Sequence, residues 1–464
     1  MTATKPEPLV QVVADGAAAT AVDLAQLARR NPERYPFLLE SAAVSGEQAR
    51  FDILFAFPGE TLELAAGNAL SGPHAAASGD FLASLDAWWA AERADAAPAT
   101  AKLPFRGGWF VYLGYELAGQ IEPGLQLSRG NREPLAFATR VPLAVIRDHG
   151  RQQLIIVGER AGDPRARHLQ ADLRVLADMP PTVLQAATGR LHEDPPAAFL
   201  AAVGEAQRYI TAGDNYQTNL SRCWRVELAP PLPPAELYLR LRRANPAPFA
   251  GLLQHSRFAV VASSPERLVR RAGDRIDTRP IAGTQARTGK PTETAALLAH
   301  PKERAEHVML IDLERNDLGR VCRGGSVEVD EFMVVESYTH VHHIVSNVSG
   351  IARSGLGPGE LLRAVFPGGT ITGCPKVRTM EIIAELEGRP RGAYTGSFGY
   401  LNRDGDCDFN ILIRTITQRG NELEIAAGSG IVADSIPQRE LAETRSKAKG
   451  MLLALDLPGD SVRP

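Results

Sequence analysis

The sequence predicts an α+β fold, and three observations carry that reading. Segments of alternating apolar and polar residues, such as 49–57 and 108–113, read as strands. Longer segments repeat apolar residues near a 3.6-residue period, as at 81–94, 301–318 and 437–455, and read as helices. The two kinds follow one another without a regular strand-helix-strand rhythm, which argues against a doubly wound parallel sheet.

Taken in order, residues 1–180 form an N-terminal region whose helix at 81–94 carries Trp88 and Trp89. Around 179–198 Gly, Pro and Ala accumulate and no hydrophobic period runs through. This stretch reads as a surface connection, centred on 181–197, that leads into a second region at 198–457. In the helix at 301–318, Pro301 suits the first turn, and Ala305, Val308, Met309, Asp312 and Leu313 mark the periodic face. Glu303 and Glu306 share one side of it.

In 366–376, Gly368, Gly369 and Gly373 precede a helix expected at 375–387. Backbone N–H groups there could face an anion, but the spacing matches neither the P-loop nor the dinucleotide-binding glycine pattern. A tight turn that needs glycine is the plain alternative. A strand at 410–413 ends at Arg414, a two-pronged donor for carboxylates. A strand at 422–427 leads into the glycine turn Gly428-Ser429-Gly430, whose amides could approach the same anion. The last helix, 437–455, has Ser435 and Gln438 at capping-box spacing and sets Glu440, Glu443 and Lys447 along one stripe.

Composition bounds the chemistry. With 464 residues and 44% apolar content the chain can bury a large core. Its 51 basic and 54 acidic residues leave a net charge of −3, so nothing favours nucleic acid or an anionic membrane as partner. The sequence has neither a long apolar run nor a signal-like start, and a cytoplasmic protein is expected. Cys223, Cys322, Cys374 and Cys407 are too scattered for a CxxC site and too few for a disulfide scaffold. The two Glu-x-x-Glu pairs, Glu303 with Glu306 and Glu440 with Glu443, offer oxygen ligands of the kind a hard cation such as Mg2+ takes. Solvated helix faces are the bland alternative.

Several long motifs stand in one order: AGDNYQTNLS (212–221), SSPERL (263–268), RPIAGT (279–284), ERAEHVMLIDLERNDLGRV (303–321), VHHIVSNV (341–348), FPGGTITGCPK (366–376), YTGSFGYL (394–401), DFNILIRT (408–415) and AGSGIVADS (427–435). With them the chain resembles the chorismate-utilising enzymes, which include anthranilate synthase component I, aminodeoxychorismate synthase component I, isochorismate synthase and salicylate synthase. YPFLLES (35–41), RFDILFAFP (50–58) and PFRGGWFVYLGYEL (104–117) extend the resemblance over nearly the whole chain.

The resemblance implies stacked antiparallel sheets inside, helices outside, and two closely packed subdomains. It also implies that Glu306 and Glu443 bind Mg2+ directly while Glu303 and Glu440 hold its waters. The ring carboxylate of chorismate would meet the metal and the Gly428 and Gly430 amides. Arg414 and Tyr394 would take the enolpyruvyl carboxylate, with Lys447 adding positive charge and Thr372 completing the binding set. Glu266 would protonate the departing C4 hydroxyl, with His343 beside it and Gln217 and Thr284 in the reacting centre.

Gln217 stands where water-adding members carry lysine, so the resemblance favours an ammonia user. PIAGT, with Ala282 where aminodeoxychorismate synthases carry lysine, follows the anthranilate synthase pattern. Asn219, Phe249 and DFNILIRT look more like aminodeoxychorismate synthase, and the balance falls on that reading. A glutamine amidotransferase subunit would then supply ammonia, since no G-x-C-x-G nucleophile turn is present. A non-catalytic ligand-binding subunit would have lost the acid or the metal carboxylates, and all five glutamates are here. The LLES segment (38–41), part of a tryptophan site in anthranilate synthases, is read as a buried strand.

Overall fold

The computed structural model describes residues 7–42, 50–128, 130, 133–177, 184, 187–287, 293–299, 301–337 and 341–456. Two large antiparallel sheets face each other. One has 12 strands and includes Phe37–Glu40, Phe51–Ala56, Leu143–Asp148, Phe249–Gln254 and Ala259–Ser264; the other has 11 and includes Gly108–Leu113, Ala136–Val141, Arg267–Ala272 and Ser397–Asn402. Strands from both halves of the chain pair within each sheet: Phe37–Glu40 lies beside Phe249–Gln254, and Gly108–Leu113 beside Ser397–Asn402. The expected α+β arrangement, sheets inside and helices outside, is what forms.

An aromatic layer fills the space between the sheets. Phe37 from one sheet stacks on Phe110 from the other at 4.0 Å, and Phe55, Phe137 and Phe398 join them. Each such ring contributes about 2–3 kcal/mol by leaving water. Gly108–Leu113 is buried at all six positions, so it is a central strand with no wet face, unlike the half-exposed strand its reading as an alternating segment implied. The helix Phe81–Glu92 puts Trp88 on the outer face of the second sheet, where it meets Trp109 edge-on. In the stretch read as a connection, residues 181–183, 185 and 186 lie outside the described residues, and Gly189–Glu193 within the rest is a strand paired with Trp224–Leu228.

Seven elements position the site. They are β1 (Gln217–Leu228), β2 (Ile281–Ala286), α1 (Pro301–Gly319), β3 (Val341–Ile351), α2 (Lys376–Glu387), β4 (Glu422–Ile431) and α3 (Pro437–Leu455). β1 and β4 pair in the first sheet and β2 and β3 in the second, so the site spans both.

Four local expectations change. The capping box at the start of α3 does not form: Ile436 is the N-cap, and Ser435 Oγ instead accepts from the Val432 N–H. Gly428 and Gly430 are not in a turn, because β4 runs straight through them and pairs with β1. Arg414 does not end a strand at 410–413. The strand Cys407–Asn410 stops in the second sheet, the chain crosses to the first, and Arg414 at φ 53 makes the corner before Thr415–Arg419. In α1 most of the periodic set faces outward: Val308 is 43% exposed, Ala305 and Asp312 are exposed and Met309 is half-buried, while Leu313 is buried with His307, Leu310, Ile311, Glu314 and Asp317.

Candidate active site

α1 turns its polar residues inward because their partners are there. Lys376 at the start of α2 pairs with Asp317, and Glu314 accepts from the Thr278 hydroxyl at 3.1 Å. This anchors one end of α1 and leaves Glu303 and Glu306 at the other. Gln217 Nε2 donates to Glu306 Oε1 at 2.6 Å. Glu303 Oε2 lies 3.1 Å from where a Cβ on Gly283 would stand, so it faces β2.

α3 brings the second pair. Lys447 Nζ reaches Glu443 Oε1 at 2.7 Å and donates to the Gly428 carbonyl at 3.0 Å. Arg414 Nη1 donates to the Lys447 carbonyl at 3.1 Å, which ties the chain corner to the same helix. Glu440 is buried and accepts from the hydroxyl of Ser429, which lies between Gly428 and Gly430 on β4. Gly428 has no room for a side chain: a Cβ would come 2.5 Å from Asn219 Oδ1 and 2.8 Å from the Tyr394 hydroxyl. The positive φ of Gly373, with a Cβ that would collide with the Gln217 carbonyl, lets the 366–376 turn lie directly against β1. That turn therefore serves as a wall, which answers the question its glycines raised.

Electrostatics sort these groups. Burial, then Glu303 and Glu443, push the Glu306 carboxyl up to about 7, against the pull of Gln217 and Lys447. Burial pushes Glu266 up to about 8, with Glu314 adding to the rise and the Thr370 hydroxyl and Ile281 N–H opposing it. Its Oε1 is buried and meets no donor. Burial and then Arg414 depress His343 to about 4, so its imidazole is neutral. Burial raises Tyr394 to about 12, keeping the phenol protonated.

Nearly every residue singled out in the sequence lies here. Glu303, Glu306, Glu443, Gln217, Lys447, Arg414, Tyr394, Gly428 and Gly430 form one connected cluster, and the charge of Lys447 acts on both Glu266 and His343. Thr372 belongs to the wall, but its hydroxyl donates to the Gly368 carbonyl at 3.0 Å. Thr284 sits opposite His343 in the β2–β3 register, and its side chain lies outside the described residues. Thr370 and Glu314, which shape Glu266, went unread in the sequence, and Asn219 was read only as a family marker.

The family model described as chorismate binding enzyme matches residues 34–453. The chain is a chorismate-binding enzyme. Aminodeoxychorismate synthase component 1 of Bacillus subtilis is 42% identical over 378 residues, covering 77% of this chain and 79% of the relative. Anthranilate synthase component 1 of Thermus thermophilus is also 42% identical, over 368 residues, 76% of this chain and 78% of the relative. Anthranilate synthase component I of Streptococcus pneumoniae superposes with a TM-score of 0.77 at 30% identity, over 88% of this chain and 93% of that one. The menaquinone-specific isochorismate synthase of Escherichia coli shares the fold at TM-score 0.70 and 18% identity, over 97% of this chain and 95% of that one.

In this chorismate-binding enzyme Glu303 and Glu443 both act on the Glu306 carboxyl, so the three sets of oxygen donors share one electrostatic field, while against the effect of burial Lys447 and Arg414 hold Glu443 below its ordinary value. Among the described residues, no three acidic, histidine or cysteine side chains already meet at metal-ligand spacing. The donor set fits a hard divalent cation in kind. No helix among the described residues is long and apolar enough to cross a membrane. The LLES strand pairs on both sides inside the first sheet and borders a separate cavity of about 1350 Å³ lined by Leu39, Ser41, Phe249 and Tyr400.

Proposed function

We propose that this chain is the synthase component that aminates chorismate at C4, giving 4-amino-4-deoxychorismate with ammonia from a glutamine amidotransferase subunit. The observation that carries loss of the C4 hydroxyl is Glu266, a buried carboxyl held protonated near neutral pH with one buried oxygen that meets no donor, and the choice of C4 for the new bond rests on Asn219, Phe249 and DFNILIRT. Hydroxide is a poor leaving group, and an acid of this kind removes it as water. The C–N bond forms from the ammonia lone pair, and the C4–O bond breaks as Glu266 gives its proton to the oxygen. The surplus proton on nitrogen then returns to the Glu266 carboxylate.

Arg414, Tyr394 and Lys447 supply the donors for two carboxylates, and His343 is neutral and adds no charge to the site. Mg2+, held directly by Glu306 and Glu443 and through water by Glu303 and Glu440, would draw electron density from the ring carboxylate when bound. The relatives lend the C4 reading one name and the C2 reading another.

A second reading has its own observation. Ala282, packed at the β2–β3 pairing opposite Ile344, puts no nucleophile where a lysine would stand, which suits direct attack at C2 and loss of pyruvate. Incubating the purified chain with chorismate, magnesium and an ammonium salt at alkaline pH separates the two. Aminodeoxychorismate, passing to 4-aminobenzoate only after a lyase is added, is expected; fluorescent anthranilate with pyruvate overturns the C4 assignment.

A further inference from the structure

β1 presents two amide side chains, Gln217 and Asn219, two residues apart and therefore on the same face of the strand. Each has its donor end tied off. Gln217 Nε2 donates to Glu306 at 2.6 Å, and Asn219 Nδ2 donates to the Thr370 carbonyl at 3.3 Å. Turning either amide over would set oxygen against oxygen, so the partners fix the orientation of both. The opposite ends, Gln217 Oε1 and Asn219 Oδ1, are buried and accept from no group. Buried carbonyl oxygens without donors are rare, and two on one face call for a ligand rich in N–H or O–H groups.

Chorismate is not that ligand. Its carboxylates and enol ether are acceptors, answered by Arg414, Lys447 and Tyr394, and its one hydroxyl belongs with Glu266. Water could fill two acceptors, but it would need a base before attacking, and an amide is not one. Ammonia has three N–H donors and a lone pair that must stay free.

We propose that Asn219 and Gln217 together receive the ammonia nucleophile, their carbonyl oxygens taking its N–H groups and leaving the lone pair toward the ring. The proposal rests on the ammonia-dependent reading above and adds Asn219 as a binding residue for the second substrate. The adjacent wall suits it: Gly428 leaves Asn219 Oδ1 its space, and the Tyr394 hydroxyl borders the same position.

The test is the pair of Michaelis constants in Asn219→Leu, which keeps the side-chain branching without the amide, and in Asn219→Ala. With magnesium present, the KM for ammonium should rise by about tenfold or more while the KM for chorismate stays within about twofold. Chorismate binding measured by calorimetry without ammonium should also be unchanged, which holds if the variants fold and only the nucleophile site is lost. A common rise in both constants, or no change in either, overturns the proposal while the amination reading stands. A native enzyme that consumes chorismate equally well without ammonium overturns both.

Discussion

Replacing Glu266 by Gln should stop turnover and, at alkaline pH, make the protein more stable. The carboxyl's ordinary value is 4.5, and burial raises it to about 8 in the folded chain. The folded protein thus binds this proton more tightly than the unfolded chain does. Its contribution to stability is fully present below 4.5 and is lost as pH rises through about 8. A tenfold change in proton affinity is about 1.4 kcal/mol, so the whole separation amounts to roughly 4–5 kcal/mol.

Glutamine keeps the shape and has no proton to lose. The unfolding free energy of Glu266→Gln relative to the native chain should therefore grow by about 3–4 kcal/mol between about pH 5 and about pH 9. Glu116, Glu314 and Asp86 are also raised by burial, but both proteins have them and they largely cancel in the difference. Reversible urea unfolding, followed by tryptophan fluorescence at several pH values, measures the quantity directly. A difference that stays flat with pH would refute the claim that Glu266 is held protonated by the fold.

The same proton sets a pH limit on the reaction: kcat should fall about tenfold per pH unit once pH passes about 8, and a rate still climbing well above that would exclude Glu266 as the acid. Glu443→Gln should lower kcat by about a hundredfold or more and abolish the heat of magnesium binding in calorimetry, so unchanged binding would remove Glu443 from the metal site. Gly428→Ala pushes a methyl against Asn219 and Tyr394 and should raise the KM for chorismate by about tenfold or more, with a smaller effect on melting temperature.

Part of the site was legible in residue types at fixed spacing, and Gln217, Glu266, His343 and Tyr394 were legible only through the family resemblance. Glu303 with Glu306, Glu443 with Lys447, and the glycines of β4 stand out whatever the local backbone does. The orientation of α1 was not legible. Its inner face mixes Leu310, Ile311, Leu313 and Leu318 with His307, Glu314 and Asp317, so apolar periodicity catches only Leu313 of it, and Lys376 and Thr278, distant in sequence, hold the acidic groups buried there. The corner at Arg414 was hidden for a related reason. Ile411, Leu412 and Ile413 are apolar enough to continue a strand, and nothing local announces that the chain changes sheets. Thr370 and Glu314 act on Glu266 only through the fold, and a single hydroxyl or carboxylate has no motif to betray it.

The most direct test of the account is the position of the new bond. Chorismate should be turned over with magnesium and nitrogen-15 ammonium, and the product examined by carbon–nitrogen NMR coupling. Nitrogen-15 bonded to C4 of a ring that still carries its enolpyruvyl group is the predicted result. Nitrogen-15 on C2 of an aromatic ring, with free pyruvate in solution, would contradict it.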